Sequence, residues 1–241
     1  MTRRRWIADE FSDTRAFLLG AHAEHLSRVL RARVGQEFDI TAGNEVRRGR
    51  ITAITADRVE FELGPEVPAP ISVPVTLVLS IFKFDRMEWA IEKCTELGAA
   101  RVVPAIARRT EAHLADAAAR RVDRWRRIAL QSAEQSRRVS PPEISPPLKI
   151  KDAAALPGSL RIVLSETETE VTLKDALQSH HSDGAVILAL GPEGGWADEE
   201  LKLFPEAGWI SATLGSTILR AETAAIASLA VVLSELQAET N

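Results

Sequence analysis

Arg220, Glu222 and Thr223 are polar side chains that follow the apolar pair Ile218-Leu219 at the start of a helical pattern. A loop that opens a helix places such side chains at a pocket mouth. A guanidinium there offers a fork of donors to an oxygen gaining negative charge, and charge-assisted hydrogen bonds are the strong ones. The Glu222 carboxylate could accept a proton directly or through water, or it could hold Arg220 as an ion pair. An acid and a hydroxyl at a helix start also simply cap it, which is the bland alternative for Glu222 and Thr223. Arg220 and Glu222 are the catalytic candidates. Other chemistries lack their parts. His22, His25, His113, His180 and His181 show no metal-ligand spacing with Cys94 or with each other, so no metal is expected. His180 and His181 sit in a polar stretch expected to face solvent, and Cys94 lies inside a helix pattern, as a core residue does. There is no Gly-x-Ser-x-Gly elbow, no Gly-x4-Gly-Lys-Ser/Thr phosphate cradle and no Gly-x-Gly-x-x-Gly.

The elements that must position these groups lie in the last quarter of the chain. Val186–Leu190 runs into Gly191-Pro192-Glu193-Gly194-Gly195 and then a polar helix start at Asp198-Glu199-Glu200. Ile210–Leu214 runs into Gly215 and Ser216–Glu222, then Thr223-Ala224-Ala225-Ile226. An apolar run, a glycine turn and an amphipathic helix make half of a βαβ unit. In open α/β sheets the ligand sits outside the carboxyl ends of the strands. Glycine lets the backbone take positive φ and approach a ligand closely. The expected pocket is built from Leu190, Gly191, Gly194, Gly195, Leu214, Gly215, Leu219, Ala221 and Thr223.

A length of 241 residues suits one large domain or two smaller ones, and 45% hydrophobic residues suffice for a core. A single cysteine excludes an internal disulfide and fits a reducing compartment. The opening Met1–Trp6 is followed by Asp9-Glu10 and not by an apolar signal core, and no apolar run reaches membrane-spanning length. The expectation is a cytoplasmic globular protein. The net charge of -4 hides an asymmetry: residues 1–70 carry 11 Lys/Arg and 11 Asp/Glu, residues 71–150 carry 14 and 9, and residues 151–241 carry 5 and 14. A basic middle beside an acidic end suggests one face for a polyanion. Arg5, Arg31, Lys83, Arg86, Arg124 and Arg138 are the candidate polyanion contacts. Arg120, Arg124 and Arg127 share one helix face, which in most proteins is only solvated.

Read in order, residues 1–63 form a small β-rich unit. Strands are expected at Phe17–Leu19, Glu37–Ile40, Arg48–Ile54 and Arg58–Leu63, with a helical stretch at His25–Arg31. Gly64–Pro70 reads as a linker, since its prolines cannot continue a sheet. A second unit begins with a buried strand at Val73–Phe82 and a helix at Asp85–Leu97 closed by Gly98, with Trp89, Ile91, Cys94 and Leu97 on its apolar side. Then come a strand at Arg101–Pro104 and one long helix from about Asp116 to Arg138 with Val122, Trp125, Ile128 and Ala129 buried. Further strands are expected at Leu160–Leu164, Val186–Leu190 and Ile210–Leu214. A last helix, Thr223–Leu236, carries small residues Ala224, Ala225, Ala227 and Ala230 for close packing.

The LGPEGG loop, and the later LG and LRAETA, resemble the SPOUT class of RNA methyltransferases. The nearest resemblance is to the family that methylates N3 of a uridine in bacterial 16S ribosomal RNA. Lys83–Glu88, Glu92–Gly98 and Ala133–Ser136 with Arg138 match its other blocks, and His25–Arg31 followed by Gly35 resembles its opening domain. Departures are Thr41-Ala42-Gly43-Asn44 for an Asp-Gly turn, Arg137 for a glycine, and Ala197 where Ser or Thr caps the helix. The missing cap would cost ~1 kcal/mol unless Asp198 takes over. The resemblance implies an α/β fold: a PUA-like RNA-binding β-barrel at 1–70, then a SPOUT domain at 71–241 with a parallel sheet and deep trefoil knot. It implies S-adenosylmethionine as methyl donor, 16S ribosomal RNA within the small ribosomal subunit as partner, and a homodimer. Methyl transfer from a sulfonium is mainly a positioning task, while the uracil N3 proton needs a base or a group that stabilises the anion. Two other readings stay open: a SPOUT enzyme acting on another RNA, such as a ribose 2′-hydroxyl in tRNA, or a non-catalytic RNA-binding ribosome-assembly factor.

Overall fold

A computed structural model describes residues 5–43, 45–68, 74–136, 138–180 and 184–238. Asn44, Ala69, Pro70, Val73, Arg137 and His181, which figure in the expectations above, lie outside the described residues. The chain divides into two compact units, Met1–Ile71 with Ala133–Pro141, and Ser72–Ser132 with Pro142–Asn241.

The first unit is a six-stranded sheet of β1 (Arg5–Ile7), β2 (Glu10–Phe11), β3 (Arg15–Leu19), β4 (Glu37–Ala42), β5 (Glu45–Ile54) and β6 (Arg58–Glu66). The order is β1-β4-β5-β6-β3-β2, antiparallel except for the β1–β4 pair. Residues 5–11 therefore pair with both edges of the sheet, β1 along β4 and β2 along β3. Alternate residues (Ala16 and Leu18, Val59 and Phe61) point inward onto Trp6, Leu26, Ile40 and Ile51. The expected helix at His25–Arg31 is a short α-helix, α1 (Gly20–Glu24), running into one π-turn at His25–Val29. The linker starts later than expected, because β6 carries on through Gly64 and Pro65 to Glu66, opposite Arg47. The register shifts between Arg47 and Gly49, and a bulge is where a strand tolerates a proline.

The second unit holds a parallel sheet. Its strands are β7 (Val75–Ser80), β8 (Arg101–Ile106), β9 (Glu143–Ile144), β10 (Leu148–Lys149), β11 (Leu160–Leu164), β12 (Val186–Leu190) and β13 (Ile210–Ala212). The order is β10-β8-β7-β12-β11-β13, and β9 shares the β8 edge with β10. The near-continuous apolar runs of β7, β11 and β12 follow from burial on both faces. One face, with Leu77, Leu79, Ile162, Leu164, Leu188 and Leu190, packs on α2 (Phe84–Leu97), α3 (Ala112–Ala118), α4 (Val122–Gln135), α6 (Leu173–Ser179) and α8 (Ala221–Ala238). The other, with Val78, Val103, Val163, Ile187 and Ala189, packs on α5 (Ile150–Ala154), α7 (Asp198–Glu206) and the rings of Trp196 and Trp209.

Three expectations are corrected. The long helix is α3, a 3-10 turn at Ala119–Arg121 and α4, and no glycine or proline marks that join. Trp89 and Leu97 do not belong to the buried side of α2, being 47% and 40% exposed. The buried stripe is Met87, Ala90, Ile91, Cys94 and Thr95, at helical spacing, and Trp89 falls off it. In α8, Ala225 is buried with Ser228, Leu229 and Val232, but Ala230 is exposed. No helix among the described residues is long and apolar enough to cross a membrane.

Candidate active site

The carboxyl ends of β11, β12 and β13 each release a loop, and the three loops enclose a cavity of about 400 Å³. They are laced together by main-chain bonds. Ser165 N donates to Ala212 O (3.0 Å), and Thr213 N donates to Val171 O (2.8 Å). Leu190, Gly191, Gly195, Leu214, Gly215, Leu219 and Ala221 all line the cavity, as do Arg220 and Arg86. Gly194 does not; its carbonyl accepts from Arg109 Nη1 (2.8 Å) on the exposed side of the loop. Thr223 is exposed and also stands off the lining.

The loop after β12 is shaped by packing. Trp196 is buried, donates its indole N–H to Leu164 O (2.8 Å) and stands edge-on to Phe204 (4.9 Å between centroids). A Cβ on Gly191 would come within 3.3 Å of that indole. Gly195 has φ +69, and a Cβ there would lie 2.6 Å from Glu166 Oε1. The α7 start lacks a capping side chain at Ala197, and Glu200 supplies only the reciprocal bond of the cap. Its buried carboxylate accepts from Ala197 N (3.0 Å) and from Arg108 N (2.8 Å). That is half of a capping box, with the other oxygen holding the loop after β8.

The loop after β13 is open. Residues 215–220 are all exposed, Ile218 by 84%. Gly215 has φ +121, and nothing lies within 4 Å of where its Cβ would stand. Thr213 Oγ1 fixes the turn, accepting from Gly215 N (3.2 Å) and donating to Gly215 O (3.1 Å). Arg220 immediately precedes α8, its carbonyl accepting from Ala224 N (2.8 Å), and it lies on the lining. Glu222 is only 4% exposed. Its cationic neighbour is Arg86, not Arg220, with Arg86 Nε 3.8 Å from Glu222 Oε1. Arg86 Nη1 also donates to Glu193 Oε1 (3.1 Å). Glu222 Oε2 has no hydrogen-bond partner among the described residues.

The candidate RNA contacts fall in different settings. Arg31 and Lys83 are exposed, and Arg31 holds a left-handed φ of 53. Arg124 is exposed but engaged in a fork with Glu88 (2.6 and 2.8 Å), which raises its pKa further. Arg5 is buried in the first unit, and Arg138, also there, is half-buried with desolvation lowering its pKa. Burial pushes the Cys94 thiol up to about 12, which leaves it inert.

Sequence reasoning missed the third wall of the cavity, Ser165, Glu166 and Thr167 after β11. A polar run directly following a buried strand was the available signal, but it contains no glycine. Glu168 shapes that loop by accepting from Glu170 N (2.8 Å) and Val171 N (3.1 Å), which lowers its pKa.

Residues 69–233 match the family model of the RNA methyltransferase domain. The chain is 31% identical over 224 residues to the ribosomal RNA small subunit methyltransferase E of Synechocystis sp., covering 91% of this chain and 73% of that one. It is 32% identical over 254 residues to the protein of that name from Mycobacterium bovis, covering 96% and 92%. The crystal structure of the Neisseria gonorrhoeae protein of that name, bound to S-adenosyl methionine, superposes with a TM-score of 0.85 at 29% identity, covering 97% and 98%. A Legionella pneumophila putative methyltransferase with the same bound cofactor gives 0.84 at 25% identity, again covering 97% and 98%. The chain thus belongs to the RNA methyltransferase family that includes the ribosomal RNA small subunit methyltransferases E.

Proposed function

We propose that this protein methylates N3 of a uridine in 16S ribosomal RNA, with S-adenosylmethionine as donor and the small ribosomal subunit as substrate. The observation that carries the reading is the cavity at the ends of β11, β12 and β13, with Arg220 on its lining and the buried Glu222 two residues on, behind that lining. Its volume of about 400 Å³ falls among small-molecule sites, and the open space at Gly215 is room that a side chain would fill. S-adenosylmethionine supplies an electrophilic methyl carbon on a sulfonium. Leu190, Gly191, Gly195, Leu214, Gly215, Leu219 and Ala221 hold the donor by main-chain groups and apolar contact, with Gly194 and Thr223 acting from just outside the lining. Arg220 donates to a uracil carbonyl as N3 loses its proton, so that charge develops against a fixed cation. Glu222 takes that proton, directly or through water, on the oxygen that has no other partner.

Mapping of modified nucleosides in rRNA from cells with and without the gene tests the target; a loss at N3 of one 16S uridine is expected. Arg220→Ala should keep the fold and donor affinity and lose about 100- to 1000-fold in methylation rate, the scale of one removed oxyanion donor. Near-normal turnover on assembled substrate at saturating donor would overturn Arg220 as the catalytic group.

We also read residues 1–70 as a PUA-like RNA-binding barrel, because residues 5–11 pair with both edges of its sheet. Residues 71–241 would then be the SPOUT domain, with a trefoil knot where residues 213–220 pass the 165–172 loop before α8 returns to the sheet. Arg31, Lys83, Arg124 and Arg138 are proposed phosphate contacts, with Arg5 supporting the barrel from inside. A homodimer would cover the exposed Ile218 and Trp89. The compartment we infer is the cytoplasm, where the substrate RNA is.

A further inference from the structure

We infer that Arg86 is a positioning residue that ties the two glycine loops together and does not contact RNA phosphate. The inference rests on the proposed function of the cavity. Arg86 stands in the first turn of α2 and lines the cavity. One nitrogen reaches Glu193, in the loop after β12, at 3.1 Å, and another faces Glu222, at the start of α8, at 3.8 Å. The carboxylates come from different segments, the loop after β12 and the first turn of α8, so a single guanidinium links the two. A planar fork can serve two acceptors at once, and an ammonium cannot do so in the same geometry.

The electrostatics favour this role over phosphate binding. The Glu222 side chain is 6% exposed, and a buried carboxylate without a cation is costly. Arg86 and the positive end of α8 are the two features that compensate it. Glu193 and Glu222 set two carboxylates against the one Arg86 guanidinium. An incoming phosphate would have to displace carboxylates that the fold itself supplies. Lys83, three residues earlier, is exposed. Arg86 thereby sets the place of Glu222, whose second oxygen is the proton acceptor proposed above.

Calorimetry with S-adenosylmethionine on the full chain, together with salt-dependent binding of a 16S RNA fragment, tests this. Arg86→Ala should weaken donor affinity at least 10-fold, and Arg86→Lys nearly as much. The slope of log RNA affinity against log salt should stay at its wild-type value in both. At saturating donor, kcat should fall in Arg86→Ala, because Glu222 is no longer held; a merely structural loss leaves the constants of the folded fraction unchanged. Glu222→Gln should cost less affinity in the Arg86→Ala background than alone, as coupled groups do. Should Arg86→Ala not fold, Glu193→Gln alters a half-exposed residue and should weaken donor affinity about threefold. Unchanged donor affinity in Arg86→Lys and Glu193→Gln overturns the inference, as does a salt slope reduced by about one in Arg86→Ala with donor affinity intact. A wild-type protein that binds no S-adenosylmethionine would instead refute the proposed function, and the Arg86–Glu222 coupling would still be read as non-additive thermal midpoints.

Discussion

The two glycine loops of the cavity close one sheet edge-on, yet they are built by opposite means. In the loop after β12 Gly191 is crowded by its neighbour, since a Cβ there would stand 3.3 Å from the buried Trp196 indole, while Gly195, at φ +69, faces the far end of the exposed Glu166 side chain. In the loop after β13 Gly215 has nothing near it, and Ile218 points into solvent. One wall is packed against Trp196, and the other is held by Thr213 and by its entry into α8. The contrast teaches that similar glycine motifs in sequence carry different constraints: positive φ at Gly195 and Gly215 alike, with crowding by Trp196 added at Gly191.

The sharpest way to break the contrast is Trp196→Ala. Removing a buried aromatic that also holds Leu164 O should cost about 3–5 kcal/mol, measured by denaturant unfolding. A cost under 1 kcal/mol would mean that the first wall does not depend on this packing. Next in size is a glycine pair. Gly195→Val puts a branched side chain at positive φ and into Glu166, so a cost of about 1–3 kcal/mol in stability and a clear loss of donor affinity are expected. Gly215→Ala meets no atom and should cost only its backbone strain, at the low end of that range. Equal effects at the two positions would erase the distinction.

The smallest expected effect is a pH dependence in the third loop. Glu168 has a lowered pKa because the folded loop gives it the N–H groups of Glu170 and Val171, in that order of importance. A depressed carboxylate contributes stability above its unfolded pKa and loses it as pH falls through the folded one. Donor affinity and thermal midpoint should therefore be flat above the ordinary glutamate range and decline below it. Glu168→Gln should flatten that acid-side decline slightly; an unchanged decline assigns it to other carboxylates.

The site was legible in sequence where local rules suffice. Apolar strands ending in glycine loops announced Leu190, Gly191, Gly195, Leu214 and Gly215 as neighbours in one cavity, and Gly98 announced the end of α2. Trp89 misled because an apolar residue next to a helical stripe is told from a member of it only by which face meets the sheet. The split between α3 and α4 carried no glycine or proline to betray it.

What the sequence by itself determined was the alternation that divides Leu77, Leu79, Leu188 and Leu190 from Val78, Ile187 and Ala189, because side chains alternate along a strand whatever it packs against. The strand-end glycines pointed to a pocket at the carboxyl ends of those strands, and the parallel sheet came from the family resemblance. Only the tertiary structure decided which partners the charged groups take. Arg86 and Glu222 are far apart in the chain, and nothing local distinguishes Arg220 from Arg86 as the cation beside that carboxylate. Glu166 entered the site because β11 lies between β12 and β13 in the sheet order. Ion pairing of this kind depends on distance and burial, which strand order sets and residue spacing does not record.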